Sequence, residues 1–497
     1  MSLKTSRWQR LLLSAVAAAI LYLPALGRPA LLEPDEGRYA EIAREMVIRA
    51  DYVTPHNDWV RYFEKPPLVY WMMAGSIRIL GKNEFAVRLP TALFSIGEVV
   101  VTEALGEAIF GPAAGLLGAI ALALSPIVIG FARFATLDPA LAFFITAAMA
   151  AFYMAARSGD FARGGGRNWF ILSAAMLGLG TLTKGPVALV LGGAIALIFI
   201  LLQRRRREIL RIPWLSSIIV YCAIVVPWFV IVARRHPGLL QFFFLHEHVN
   251  RYLKSTEHGW GPYFFGVVAI VGAWPWFYFA AAAVVDIWRN KSADNSLKRA
   301  LKFLIIWFFV ILIFFSIPRS KLGSYILPGI PPLAILAGYG LERFTLGVYR
   351  RGFIAWFAII NVAAGACAMA AILLAARRIS GPLAIDGAIV AGALIVTAAA
   401  TWAASYRDRR RIAVAVIALG MLIAAGSAAK AREDGAALFS YRRLADTIKP
   451  YLIPNSVFAS YHHFVQSLPF YTGHREALVG YRGELAPFSR STDARAS

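Results

Sequence analysis

Cysteine is nearly absent: Cys222 and Cys367 are the only 2 in 497 residues, and both lie inside apolar segments. That excludes a disulfide framework and a thiolate metal site, and both read as small core side chains. Acidic residues are also scarce, 28 against 51 lysines and arginines, and charge of either sign makes up only 16% of the chain. There is no repeat of fixed period, and the one biased run is the short glycine turn at residues 163–167. What remains is apolar: 59% hydrophobic residues and a mean hydropathy of +0.61. Soluble domains do not carry such a composition, whereas many segments of about 20 apolar residues, each able to cross a bilayer, account for it. A net charge of +23 would suggest nucleic acid in a soluble chain. Here the basic residues fall in short loops between apolar segments, where the positive-inside rule accounts for most of them. No nucleic-acid partner is expected; membrane lipid and phosphate groups are.

The apolar segments lie at about 11–26, 88–108, 113–131, 138–156, 169–184, 185–202, 213–233, 262–284, 302–317, 324–344, 353–376, 384–404 and 412–429. The basic start Lys4, Arg7, Arg10 before the first could mark a secretory signal; the loop and spans that follow favour a retained first span. Basic clusters recur in alternate loops: Arg157 to Arg167, Arg204 to Arg211, Arg289 to Arg299, Arg350 with Arg351, and Arg407 to Arg411. They predict a cytoplasmic side shared with the N-terminus, and an outer side that carries residues 28–87, 132–138, the turn at 184, 234–261, 318–323, 377–383 and the tail. Within the first outer loop, Asp35 to Arg49 is amphipathic with Pro34 before it and Asp35 as its cap. Leu68 to Leu80 follows two prolines and is too short to span. Both predict helices lying in the interface. The tail mixes polar and apolar runs and reads as a small domain. The expected architecture is an all-α polytopic membrane protein with about thirteen transmembrane helices over 1–429, and a small C-terminal α/β domain over 430–497 on the outer face.

Charges that do not serve as cytoplasmic anchors gather on that outer face: Asp35, Glu36, Arg38, Glu64, Lys65, Arg133, Asp138, Lys184, the 246–258 stretch, Arg319 and Lys321. Polar groups near a bilayer are costly and tend to mark function. Asp35 and Glu36 would serve equally as helix-dipole partners. Glu64-Lys65-Pro66-Pro67 is harder to dismiss, since two prolines fix the backbone that aims a cation. Asp138 reads as a turn and cap or as a site residue. Arg319, Lys321 and Tyr325 suit an anionic head group, or the cations anchor to the interface by snorkelling. His246 and His248 with Glu64 could bind a divalent metal or hydrogen-bond only.

These segments resemble a known family. Glu33-Pro34-Asp35-Glu36-Gly37-Arg38-Tyr39, Phe63-Glu64-Lys65-Pro66-Pro67-Leu68, Arg133 to Asp138, Leu182 to Pro186, Arg319 to Leu322, Gln466 to Tyr471 and Val479 to Leu485 are similar to stretches of the polytopic GT-C glycosyltransferases. The likeness lies in the bacterial branch related to protein O-mannosyltransferases, and within it to the lipid A aminoarabinose transferases. The resemblance implies a sugar donor on undecaprenyl phosphate, most simply 4-amino-4-deoxy-L-arabinose, and lipid A phosphate as acceptor at the outer leaflet of a bacterial inner membrane. It implies no nucleotide or organic cofactor, and a monomer. Carried onto this sequence, Asp35, Arg38 and Asp138 line the reaction centre. Lys65, Arg251 and Tyr325 hold the lipid-linked phosphate; the loop's own charges, not the resemblance, add Arg319 and Lys321 to that phosphate site. Glu64 joins a metal site with His246 or His248. Transfer of a mannose or other hexose to protein or another glycan is the alternative, and transport of a lipid-linked sugar is the rival from another class.

Overall fold

The computed structural model describes residues 6–158, 161, 164–203, 209–241, 243, 259–290, 294–375, 381–454 and 456–480. The chain begins with α1, Arg7–Tyr22, whose first turn is closed by Ser6 and Gln9 in a reciprocal cap. The two interfacial helices form with the expected bounds: α2 is Asp35–Arg49 and α3 is Leu68–Leu80. Between them runs a two-residue hairpin, β1 His56–Asn57 and β2 Val60–Arg61. Asp58 and Trp59 at its tip both have positive φ, as the tight hairpin turn demands.

The bundle follows: α4 Glu84–Phe110, α5 Pro112–Ala123, α6 Pro126–Ala132, α7 Asp138–Arg157, α8 Gly164–Lys184, α9 Val187–Leu202, α10 Trp214–Arg235, α11 Phe264–Gly272, α12 Trp276–Arg289 and α13 Asn295–Ser316. A 3-10 turn at Gly323–Gly329 leads into α14, Ile330–Thr345, and then come α15 Arg351–Ala375, α16 Gly381–Tyr406 and α17 Arg410–Phe439. Among the described residues, eight helical segments are long and apolar enough to cross a membrane. Two more spans are bent pairs, α5 with α6 at 62° and α11 with α12 at 102°. With the shorter or less apolar α1, α8 and α9, these make up the thirteen expected segments. This is a multi-pass membrane protein.

Two of the spans expected to be continuous are therefore broken. Ser125-Pro126 and Trp274-Pro275 interrupt them, since proline supplies no amide hydrogen and forces its predecessor out of helical geometry. Apolar periodicity alone did not reveal the bends. At the other end of the chain, the helix of the last span runs on to Phe439 through Lys430, Glu433 and Asp434, because the stretch holds no proline and its alanines favour helix.

Beyond it lie α18 Arg442–Ile448, β3 Phe458–Tyr461, α19 Leu468–Thr472 and β4 Glu476–Val479. β3 and β4 pair in parallel, Phe458 opposite Glu476 and Tyr461 opposite Val479. This small α/β tail does not stand apart. Phe464 and Phe470 share a core with Tyr39, Ile42, Met46, Tyr70 and Met73 of the interfacial helices. Backbone contact is close: a Cβ on Gly37 would lie 2.5 Å from the amide nitrogen of Ser467. Only glycine lets α2 lie against the tail there.

Candidate functional site

Pro34 occupies the cap position of α2 and Asp35 is its first helical residue, so Asp35 makes no capping hydrogen bond. This corrects the expectation of a capping role, and it leaves the carboxylate free for other partners. The restraint on the helix start comes from Glu36, which is fully buried. Its Oε2 accepts from the Leu32 amide at 3.0 Å, and its Oε1 from the Ala135 amide at 2.8 Å. Both oxygens are forked by Arg88 of α4 at 2.7 Å, and both lie 3.2 Å from Arg432 of α17. Arg88 also donates to the carbonyls of Leu26, Pro29 and Ala30 at 2.9, 2.6 and 3.0 Å. The guanidiniums hold the Glu36 carboxyl below its usual range despite complete burial. One acidic residue thus fixes α2 to three other elements, while its neighbour faces the other way.

On that other side, Asp35 stands 3.8 Å from Arg38, one turn along. Arg38 in turn reaches the Tyr62 hydroxyl at 3.4 Å. Asp138, first residue of α7, accepts from Thr136 at 3.1 Å and forms a close ion pair with Lys184 at the end of α8. Lys184 sits over the Tyr325 ring, 4.4 Å from its centroid. Tyr325 packs against Phe315 and Phe265, with centroids 5.2 and 6.5 Å away. Desolvation raises the Asp35 carboxyl above its ordinary value and Asp138 adds to this, while Arg38, Lys184 and Lys65 oppose it. Asp35, Arg38, Asp138, Lys65 and Tyr325, five residues expected at one centre, are therefore brought together from four separate stretches.

Lys184 is the member of this group that sequence reasoning underrated. It stood among the outer-face charges but received no role, because a lysine before Gly185-Pro186 reads as turn punctuation. Its position at a helix end opposite the start of α7 was the available signal. Lys321 behaves differently from expectation: its ammonium is buried and donates to the Pro318 carbonyl of its own loop. Arg319 is exposed, with no hydrogen bond or ion pair to the described residues. Glu64 is buried, and the Lys65 ammonium reaches its carbonyl at 3.2 Å. Arg251, His246 and His248 lie outside the described residues. The chain that re-enters after them at Gly259 pairs with Ser320, two residues from Leu322. Among the described residues no group of three metal-ligating side chains gathers. Two acids lie away from that face: Glu98 and Glu103 are buried inside α4, Glu98 accepting from Thr146 at 3.1 Å.

The tail closes one side of this region. Glu33 accepts from the Ser467 amide at 2.8 Å, Asn57 donates to Gln466 at 2.8 Å, and Asp58 accepts from the Glu476 amide at 2.9 Å. Lys82 reaches the Phe470 carbonyl at 2.9 Å, and the Tyr471 hydroxyl meets the Leu31 amide at 2.7 Å. Asp58 and Glu476 are buried next to each other and to Glu41 or Glu33, and desolvation pushes their carboxyls up to about 8 and about 7.

Comparison with known proteins places these features. The family model described as dolichyl-phosphate-mannose-protein mannosyltransferase matches residues 8–243. The undecaprenyl phosphate-alpha-4-amino-4-deoxy-L-arabinose arabinosyl transferase of Pseudomonas aeruginosa is 33% identical over 345 residues, 69% of this chain and 61% of the relative. That of Erwinia tasmaniensis is 33% identical over 366 residues, 73% of this chain and 64% of the relative. The chain thus spans less than two thirds of the length of these curated relatives. The crystal structure of ArnT from Cupriavidus metallidurans bound to undecaprenyl phosphate superposes with a TM-score of 0.85 at 29% identity, over 96% of this chain and 87% of that one. An oligosaccharyltransferase of Archaeoglobus fulgidus shares the fold at a TM-score of 0.59 and 12% identity, over 95% of this chain and 64% of that one.

Proposed function

This chain belongs to the GT-C class, in the branch of the aminoarabinose transferases, and from that premise we propose that it is a membrane glycosyltransferase that takes its sugar from undecaprenyl phosphate. The sugar in this reading is 4-amino-4-deoxy-L-arabinose and the acceptor is a lipid A phosphate. The face carrying α2, α3 and the tail is the periplasmic face of a bacterial inner membrane, with the N-terminus on the cytoplasmic side, because the basic loops lie at the opposite ends of the spans. The protein works as a monomer.

The observation that carries the reading is the joined set Asp35, Arg38, Asp138, Lys184 and Tyr325, with Lys65 beside it. The acceptor oxygen attacks C1 of the sugar from the face opposite the lipid. The bond from C1 to the lipid phosphate breaks, and its electron pair stays on the phosphate oxygen. Charge grows there, so Lys65, Arg251 and the Tyr325 hydroxyl stabilise the transition state more than the ground state. A phosphate acceptor is already ionised and needs no base. Asp35 then orients the sugar, and its partly exposed carboxylate suits the sugar ammonium. A hydroxyl acceptor, as in hexose transfer to protein, would use Asp35 as general base; the name of the matching family model is what favours that second reading. Lys184 neutralises Asp138 and props the Tyr325 ring. A transporter would place its ionisable groups at the bilayer midplane, whereas Asp35 and Asp138 sit at helix starts on one face.

Transfer from the lipid-linked sugar to lipid A in proteoliposomes tests the reading with Asp35→Asn and Lys65→Ala. Each should lose on the order of a hundredfold or more in turnover. Near-normal rates in both would remove the mechanism. A divalent ion between Glu64 and His246 or His248 is a separate proposal. Loss of transfer on chelation with return on adding zinc would support it, and chelator-insensitive turnover would remove it.

A further inference from the structure

Away from the Asp35 centre, an apolar groove of about 540 Å³ opens between α6, α11 and the last three long helices. Ile129, Ile270, Leu394 and Met421 line it, and Arg133 and Arg432 stand at its polar end. A second cavity of about 490 Å³ adjoins it, sharing Ile129, Arg133, Ala425 and Ala429 as lining. That second cavity is a mouth with mixed charge: Arg28, Arg133 and Lys430 on one hand, Glu433 and Asp434 on the other. Arg28, Lys430, Glu433 and Asp434 are exposed to whatever occupies it. The guanidinium of Arg133 is held in place by the carbonyls of Leu21, Tyr22 and Pro24 at 3.3, 3.1 and 2.7 Å, which close the end of α1.

We infer that these two adjoining cavities together bind a glycerophospholipid with an amine-bearing head group, a resident lipid rather than a substrate. The apolar part takes an acyl chain, and its size falls within the range of small-molecule cavities. The phosphodiester meets Arg28, Arg133 and Lys430, and the ammonium meets Glu433 and Asp434. A purely anionic head group would leave the two carboxylates facing like charge, and a bare hydrocarbon would make no use of the charged mouth. The groove reaches α2 through Arg432, which grips Glu36, while Asp35 faces Arg38, Asp138 and Lys184. A bound lipid therefore buttresses the helix that carries the reaction centre without entering that centre. This inference rests on the membrane fold and not on the transfer reaction.

Native mass spectrometry of the full chain, delipidated in detergent and titrated with single lipids, reads it directly. One phosphatidylethanolamine should bind saturably and in preference to phosphatidylglycerol. Glu433→Lys with Asp434→Lys should weaken phosphatidylethanolamine by about fivefold per charge and strengthen phosphatidylglycerol. Both positions are exposed, so the variant keeps its fold. Ala425→Phe with Ala428→Phe should abolish both adducts by filling the groove. Equal binding of the two lipids by native and charge-reversed chains would overturn the inference. So would one-for-one displacement of phosphatidylethanolamine by undecaprenyl phosphate, which would give the groove to the donor. Transfer activity enters neither result, so the reading of the active centre stands or falls separately.

Discussion

Arg88→Met should be among the most damaging single changes in this chain, and the geometry says why. The guanidinium has no exposed surface and makes five hydrogen bonds, two to Glu36 and three to the carbonyls that end the first loop crossing. Methionine fills much of the volume but supplies none of the donors. Glu36 then remains buried with Arg432 and two amides, and breaking a buried pair by removing one partner costs about 3–5 kcal/mol. Three carbonyls also lose their donor, at about 1 kcal/mol or more for each that water cannot reach. Removing the stranded charge should recover part of the loss, so Glu36→Gln with Arg88→Met should be less unstable than Arg88→Met alone by about 1–3 kcal/mol. Unfolding in mixed micelles followed by tryptophan fluorescence, for the native chain, both single variants and the double, completes the cycle. Stability of Arg88→Met within about 1 kcal/mol of native, or a double variant as unstable as the sum of the singles, would refute the view that Glu36 is a buried charge held by this arginine.

Lys184→Met should cut transfer by about a hundredfold or more while purified yield holds, and Asp138→Asn added to it should cost little further, because the two act as one unit; independent, multiplying losses would separate them. Docking of the tail should weaken with rising pH. Asp58 and Glu476 titrate at about 8 and about 7 when folded, above the ordinary values of 3.8 and 4.5, so the folded state binds protons that the undocked state has lost. Their stabilisation is complete below about pH 4 and disappears as pH passes through 7–8. Protease protection of residues 440–480 should therefore fall between pH 5 and pH 9, and Asp58→Asn, which keeps the turn and the acceptor, should flatten the profile. A protection level constant across that range would contradict the assignment. Gly37→Ala places a methyl against Ser467 and should release the tail, at about 1–3 kcal/mol, seen as protease sensitivity even at pH 5; unaltered protection would mean the two segments can separate at no cost.

The amino-acid sequence alone determined the class of this protein and much of its plan. Long apolar segments with basic loops can only be satisfied in a bilayer, so spans and their spacing were legible. The interfacial helices were legible to the residue because Pro34, Pro67 and Gly81 punctuate them. Asp35, Arg38, Asp138, Lys65 and Tyr325 stood out as charges and a phenol where a membrane protein tolerates few. Which of these residues meet was decided only in three dimensions. Lys184 lies far along the chain from Asp138 and Tyr325, yet pairs with one and stacks on the other. Glu36 and Asp35 are neighbours in sequence, but consecutive positions on a helix point about 100° apart, so one became an anchor and the other faces the centre. Arg88 and Arg432 carried no reading in the sequence, and only packing sets them against that anchor. Such pairings depend on how α4, α7, α8 and α17 cross, and crossings arise from side-chain packing over the whole bundle, which no local pattern encodes.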